Sequence, residues 1–421
     1  MLKDTSNKSD AVVKKNIFWQ YLLQIAVYIF PFITLPFLTR VLGPDEFAVR
    51  AYSVSILSLI TVLIDFGFNP FGTREIARHR DDLPYMKKLT TTILAQRCIL
   101  AIAGAGILLA IIPTIPIMAN NPEYMMIAYA GTVLTALLPD FVFRGLEDMS
   151  ILTKRFVVSR LVSLVLIFCF IRSADQLVLV AVFEAVPALI AFIWSWIAVA
   201  RKFKIVPNLK LIDLRESLTI FKTSFVFFLS SAATTIFTNL TTVMIGIYIV
   251  NQAEISYWSL ATTVIAAVQS LYNPIYNSIY PHVAATRNFA IVKKYLLLGM
   301  PVVFIGSIAL YFLAPFAMLL LGGSEYLEGS LILQILIPVL VLSYPAIIIG
   351  FPILAVINKE KLLTASSVVA ALFQIAGLFV LASLGCFTLV NVAILRCITE
   401  LIMMVLRVAF VARSRHLLSA N

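Results

Sequence analysis

The stretch Leu177-Val-Leu-Val-Ala-Val-Phe-Glu-Ala-Val-Pro-Ala-Leu-Ile-Ala-Phe-Ile-Trp-Ser-Trp-Ile-Ala-Val-Ala-Arg201-Lys-Phe-Lys204 decides the fold class. Residues 177–200 carry one charge, Glu184, and the run then ends abruptly in basic residues. About 20 apolar residues, rising ~1.5 Å each as a helix, cross the ~30 Å hydrocarbon core of a bilayer. A cluster of Lys and Arg directly after such a run marks the cytoplasmic side. The same grammar repeats along the chain. Further apolar runs lie at about 17–38, 47–69, 90–112, 124–143, 156–174, 221–250, 255–280, 294–320, 329–356, 362–384 and 387–411.

Basic residues collect in alternate gaps between these runs. Lys3, Lys8, Lys14 and Lys15 precede the first; Arg74, Arg78, Arg80, Lys87 and Lys88 follow the second. Arg144, Lys154 and Arg155 follow the fourth, and Arg201, Lys202, Lys204, Lys210, Arg215 and Lys222 follow the sixth. Arg287, Lys293 and Lys294 follow the eighth, Lys359 and Lys361 the tenth, and Arg413 and Arg415 lie in the tail. The intervening gaps hold only Arg40 and Arg172. This alternation predicts an all-α polytopic membrane protein of about twelve transmembrane helices, with both termini cytoplasmic. A 61% hydrophobic, 13% charged composition excludes an ordinary soluble domain. The net charge of +11 is thereby explained as orientation and contact with membrane lipids, not as nucleic-acid binding.

The basic linker 201–220 divides the chain into an N-terminal lobe of six helices, 1–200, and a C-terminal lobe of six, 221–421. A faint repeat supports this division. Arg40-Val-Leu-Gly-Pro-Asp-Glu-Phe-Ala leads into Arg50-Ala-Tyr-Ser, and Ile247-Tyr-Ile-Val-Asn-Gln-Ala-Glu-Ile leads into Ser256-Tyr-Trp-Ser. Two such lobes are expected to enclose a central cavity and to alternate its access, with Pro31, Pro36, Pro274, Pro338, Pro345 and Pro352 as bends.

No catalytic motif is present: the sequence lacks Walker A, GxGxxG, HExxH and GxSxG patterns, and no metal or cofactor is expected. The four cysteines (Cys98, Cys169, Cys386, Cys397) form no CxxC or Cys/His cluster and read as small buried hydrophobes. Ionisable groups at lipid depth are the informative residues, because burial there is expensive. Arg97 lies about two turns inside the third run, Arg160 near the inner end of the fifth, and Glu184 inside the sixth; Arg97 and Glu184 read as the deepest unpaired groups. Arg396 and Glu400 are spaced i, i+4 and can pair along one helix face. Asp65 and Asp140 read as interfacial. The eighth run offers a different face, Tyr272, Asn273, Tyr276 and Asn277, whose rings and amides suit a sugar; Gln24 with Trp19 repeats the flavour in the first run.

Several stretches resemble the polysaccharide-transporter family of Wzx-type oligosaccharide (O-antigen) flippases, within the superfamily of MATE-like multidrug extruders and lipid II flippases. They are Thr39-Arg-Val-Leu-Gly-Pro-Asp-Glu-Phe47, Asp65-Phe-Gly-Phe-Asn-Pro-Phe-Gly-Thr-Arg-Glu-Ile-Ala-Arg78, Pro139-Asp-Phe-Val-Phe-Arg-Gly-Leu-Glu-Asp-Met149 and Asn273-Pro-Ile-Tyr-Asn-Ser-Ile-Tyr-Pro-His282. The chain departs from the family pattern at Ala48, Phe141 and Arg144. The resemblance implies outward movement of an undecaprenyl-diphosphate-linked oligosaccharide across the bacterial inner membrane, beside a polymerase and glycosyltransferases of the same pathway. On that reading Arg97, Arg160 or Arg396 attracts the diphosphate, because a guanidinium forks onto phosphate and does not titrate. Tyr272, Asn273, Tyr276, Asn277 and Gln24 contact the glycan, and Glu184 or Glu400 carries a coupling proton. The alternative is a multidrug or cation antiporter of the related extruder family; a membrane-embedded glycosyltransferase would need a larger outward loop.

Overall fold

The computed structural model describes residues 2–357 and 359–414, and no β-strand occurs among them. Eight helical segments among the described residues are long and apolar enough to cross a membrane. The sequence predicts more, and three of the four differences have identifiable reasons. Phe18–Arg78, 61 residues, contains both of the first two runs. Gly43, at φ 70° and ψ 177°, interrupts the helix that joins them. The fifth run lies in Met149–Phe170, whose Lys154, Arg155 and Arg160 raise its polarity. The eighth is divided between Ala253–Ser270 and Asn273–Thr286, where Pro274 falls at the start of the second piece.

Outer helix faces are apolar: on Ala290–Gly322, Phe312 is 76% exposed and Leu297, Val302 and Ile305 are exposed with it. Such a surface is at home among acyl chains, where the helix also satisfies its own backbone hydrogen bonds. The cysteines correct the sequence expectation for the same reason. Cys98, Cys169 and Cys386 are exposed and Cys397 is half-buried, so Cys98 and Cys169 sit on outward faces of long apolar helices and not in a core.

The chain divides into two compact units, Met1–Leu42 with Ser53–Thr235, and Gly43–Tyr52 with Ile236–Asn421. The linker 201–220 therefore lies inside the first unit, and ten early residues belong to the second. In the first unit, a core gathers Phe66, Phe68, Phe71, Ile76, Phe141 and Phe143. Phe66 stacks on Phe221 and Phe228, with centroids 4.0 and 4.5 Å apart. Gly67 permits this close approach. It adopts φ 74°, and a Cβ there would stand 2.6 Å from Phe228 N and Ser224 O. Asp82 starts the next helix, Leu83–Ile111, by accepting from Tyr85 N at 2.9 Å.

The second unit is organised around Tyr272, Ile279, Tyr344, Ile348 and Leu354. Its early segment 43–52 is held by specific bonds. Ser256 Oγ donates to Pro44 O, and Tyr326 Oη donates to Gly43 O at 3.3 Å. Phe47 meets the Tyr326 ring edge-on at 6.3 Å, and a Cβ on Gly246 would collide with the Tyr52 ring. Burial in this loop contact holds the Tyr326 phenol well above its ordinary pKa.

Replacing Gly67 by Ala forces a side chain into a left-handed backbone position and onto another helix. A destabilisation of about 2 kcal/mol is expected, read as a lower thermal midpoint in detergent and a reduced folded yield. An unchanged midpoint would contradict this account of the core.

Candidate functional site

Two groups of buried charge stand out in the first unit. Arg97 is 1% exposed, the largest fully buried side chain described. Its Nη2 donates to Asp65 Oδ1, its Nη1 donates to Leu138 O at 2.9 Å, and its guanidinium lies 5.6 Å from the Phe141 ring centroid. Asn69 Nδ2 also donates to Asp65 Oδ1 at 2.7 Å. Arg97 is therefore not the unpaired cation that sequence spacing suggested. Asp65, 32 positions earlier, comes beside it because the helix end at Asp65 turns at Phe66 and Gly67. Held by Asp65, Leu138 O and the Phe141 ring, Arg97 ties three segments together, and its Nε has no hydrogen-bond partner among the described residues.

Arg155 is the counterpart that sequence reasoning assigned to a loop. It is buried, donates from Nη1 to Asp140 Oδ1 and Ser195 Oγ, both at 2.7 Å, and from Nη2 to Asp140 Oδ2 at 3.2 Å. A bidentate pair of this kind has strong directional hydrogen bonds that offset part of the cost of dehydrating both ions. Arg160, on the same helix, is exposed and lies 5.5 Å from the Phe156 ring centroid. Glu184 is half-buried within Leu177–Lys202, three positions before Pro187. Gln24 is exposed.

The second unit contains a cavity of 280 Å³. Its wall carries Thr238, Thr241, Thr262, Thr263, Gln269 and Arg396, with Trp258 among the apolar residues that complete it. Arg396 Nη2 donates to Glu400 Oε1 at 2.6 Å, joining the two residues the i, i+4 spacing paired. Glu400 is only 2% exposed, and its Oε2 accepts no hydrogen bond among the described residues. Beside it, Thr399 Oγ1 donates to Gln374 Oε1 at 2.6 Å, and Gln374 Nε2 donates to Thr241 Oγ1 at 3.4 Å. A polar chain thus runs from the turn that bears Glu400 to the cavity wall. On the opposite side Gln269 Nε2 donates to Ser343 Oγ at 2.9 Å.

The aromatic face read from the sequence is only partly on display. Tyr272 is buried in the core of its unit, its hydroxyl donating to Leu340 O at 3.2 Å and its ring edge-on to Tyr344 at 5.2 Å. Asn273 and Tyr276 are half-buried, and the side chain of Asn277 lies outside the described residues. The cavity wall is supplied instead by the preceding helix, through Gln269 one turn before Tyr272 and Thr262 ten residues before it. Their spacing with Ala266 (i, i+4, i+7) is the helical stripe that could have revealed it. Among the described residues no cluster of metal-ligating side chains occurs.

Apolar helices with lipid-compatible faces, buried charges that meet opposite charges, and a polar cavity inside one unit define a multi-pass membrane protein. Solved membrane-protein structures share its fold. It resembles the inward-facing conformation of a multidrug resistance MATE family transporter (TM-score 0.72, 15% identity, 96% of each chain covered). It also resembles the lipid II flippase MurJ in an inward closed conformation (TM-score 0.74, 12% identity, 94% of this chain and 87% of that one). At these identities the likeness is one of fold. The chain belongs to the polysaccharide biosynthesis protein family, whose pattern matches residues 13–287. Among curated relatives, a protein of Escherichia coli (strain K12) named "Putative O-antigen transporter" is 22% identical over 98% of this chain and 99% of its own length. A protein of the same name from Shigella dysenteriae is 25% identical over 87% of this chain and 92% of its own.

If Arg97 and Asp65 serve mainly each other, Arg97→Gln and Asp65→Asn each leave a poorly compensated charge. Each is expected to lower stability by about 2 kcal/mol, discounted because Asp65 is partly exposed, and the double variant to lose less than the sum. Thermal unfolding of the four proteins in detergent measures that coupling; strict additivity would remove the pairing argument.

Proposed function

We propose that this protein flips an undecaprenyl-diphosphate-linked oligosaccharide repeat unit from the cytoplasmic to the outer leaflet of the bacterial inner membrane. The product feeds surface polysaccharide biosynthesis: O-antigen, capsule or exopolysaccharide. In this reading twelve spans form two six-helix lobes with cytoplasmic termini, and the lobes alternate access to the substrate. The family membership and the names of the two curated relatives support the substrate class.

The observation that carries the reading is Arg396 on the wall of a hydroxyl-lined cavity, held by a buried Glu400. A diphosphate competes with a carboxylate for a guanidinium because both accept its paired hydrogen bonds. When the diphosphate takes Arg396, Glu400 gives up its place on the guanidinium, and the pair re-forms once the substrate leaves. Glu400 is in this scheme the acidic group placed to couple an ion to binding of the anion. Threonine hydroxyls, Gln269 and the Trp258 ring offer hydrogen bonds and an apolar face to the first sugar. At 280 Å³ the cavity suits a headgroup fragment and not a whole repeat unit. Gln24, Asn273 and Tyr276 are further sugar contacts in this scheme, and Arg160 and Glu184 are secondary candidates for anion attraction and proton coupling.

The test is export in cells at matched protein levels. Arg396→Gln is expected to abolish surface polysaccharide and to build up lipid-linked oligosaccharide on the cytoplasmic side, with Arg396→Lys retaining part of the activity. Glu400→Gln is expected to make residual export insensitive to the pH gradient. Normal export by Arg396→Gln would sink the assignment, and drug accumulation changing in its place would favour an antiporter.

A further inference from the structure

The segment that joins the two apolar halves is not a slack connection. Ile205 and Ile220 are buried in the core of the first unit. Between them Asn208 N donates to Thr91 Oγ1 at 3.1 Å, and Gln96 Nε2 donates to Ser217 O at 2.6 Å and to its Oγ at 2.8 Å. Lys88 pairs with Glu216. Asp213 is spent locally, its Oδ1 accepting from Arg215 N at 2.9 Å. These contacts fix one side of the segment against the start of Leu83–Ile111.

The other side is apolar and uncovered. Leu209 is 73% exposed and Leu214 76%, with Val206, Leu211 and Leu218 exposed alongside. Lys204, Lys210 and Arg215 are exposed among them. Aliphatic side chains held outward by a fixed backbone have no favourable place in water, at about 25 cal/mol per Å² of apolar surface left wet. Basic residues interleaved with them exclude a purely apolar neighbour. An interface with acyl chains below and anionic headgroups above satisfies both. Height is consistent with this. The helix Leu214–Tyr248 has 35 residues, against about 20 needed for the hydrocarbon core, so its first turns lie at the headgroup level.

We propose that residues 204–218 form a docking surface for the anionic lipids of the cytoplasmic leaflet, with Val206, Leu209, Leu211, Leu214 and Leu218 seated at the acyl boundary and Lys204, Lys210 and Arg215 on the headgroups. Through Thr91, Gln96 and Lys88 this surface anchors the inner end of Leu83–Ile111 to the membrane plane, independently of what the protein transports.

Hydrogen exchange of the full chain in nanodiscs tests it, comparing pure phosphatidylcholine with discs of about one-third phosphatidylglycerol, since each basic side chain at an anionic surface contributes about fivefold to binding. Amides of 204–218 are expected to exchange about tenfold more slowly in the anionic discs. The triple variant Lys204→Gln, Lys210→Gln, Arg215→Gln should lose the dependence on lipid charge. Leu209→Ser with Leu214→Ser should lose protection in both discs. All five positions are exposed, so the fold is retained, and protection elsewhere in the first unit reports that directly. Equal exchange in both discs, or a lipid dependence that survives the triple variant, overturns the proposal.

Discussion

A charge inside a bilayer persists only with a partner, and the helices of this protein are arranged so that partners meet. Arg97 with Asp65, Arg155 with Asp140 and Arg396 with Glu400 each join groups that would be prohibitively costly alone. The first two pairs link residues 32 and 15 positions apart and so hold different helices in register. The third lies within one helix and leaves the helix free of such a tie. It is also the pair that lines a cavity. Pairing across helices builds the scaffold, while the pair along one helix is the one the proposed function assigns to the substrate anion.

Much of the fold was legible because the bilayer enforces a simple code. Apolar length, alternating basic loops and the absence of water-soluble domains follow from hydrogen-bond satisfaction in hydrocarbon, and they read directly from composition along the chain. Arg396 and Glu400 were legible too, since an i, i+4 spacing is local information. Arg97 was visible as a deep charge and Asp65 as an interfacial one, but nothing local says that they meet. Their contact depends on the turn at Phe66 and Gly67, a tertiary property. Arg155 was misjudged for a related reason: three basic residues near a helix start look like a cytoplasmic cluster, and only packing against Asp140 and Ser195 buries one of them.

The aromatic stripe shows a further limit of one-dimensional reading. Tyr272 has the right composition for a sugar contact, yet Pro274 begins a new helix just after it, and the break turns its ring into the core against Tyr344. Gln269, before the break, keeps the orientation of the preceding helix and reaches the cavity. A period-four pattern carried across a proline does not keep its face.

The early residues 43–52 complete a unit whose other parts are encoded much later. Pro44 is bonded to a residue 212 positions downstream and Gly43 to one 283 positions downstream. At about 5–20 residues per second of synthesis, these ten residues wait on the order of tens of seconds for their partners. During that interval the left-handed break at Gly43 and the carbonyls around it depend on water or on other proteins for hydrogen bonds. The second unit is thus closed only once Tyr326 has been made, which makes the timing of biogenesis, and not only the final packing, a property written into residues 43–52.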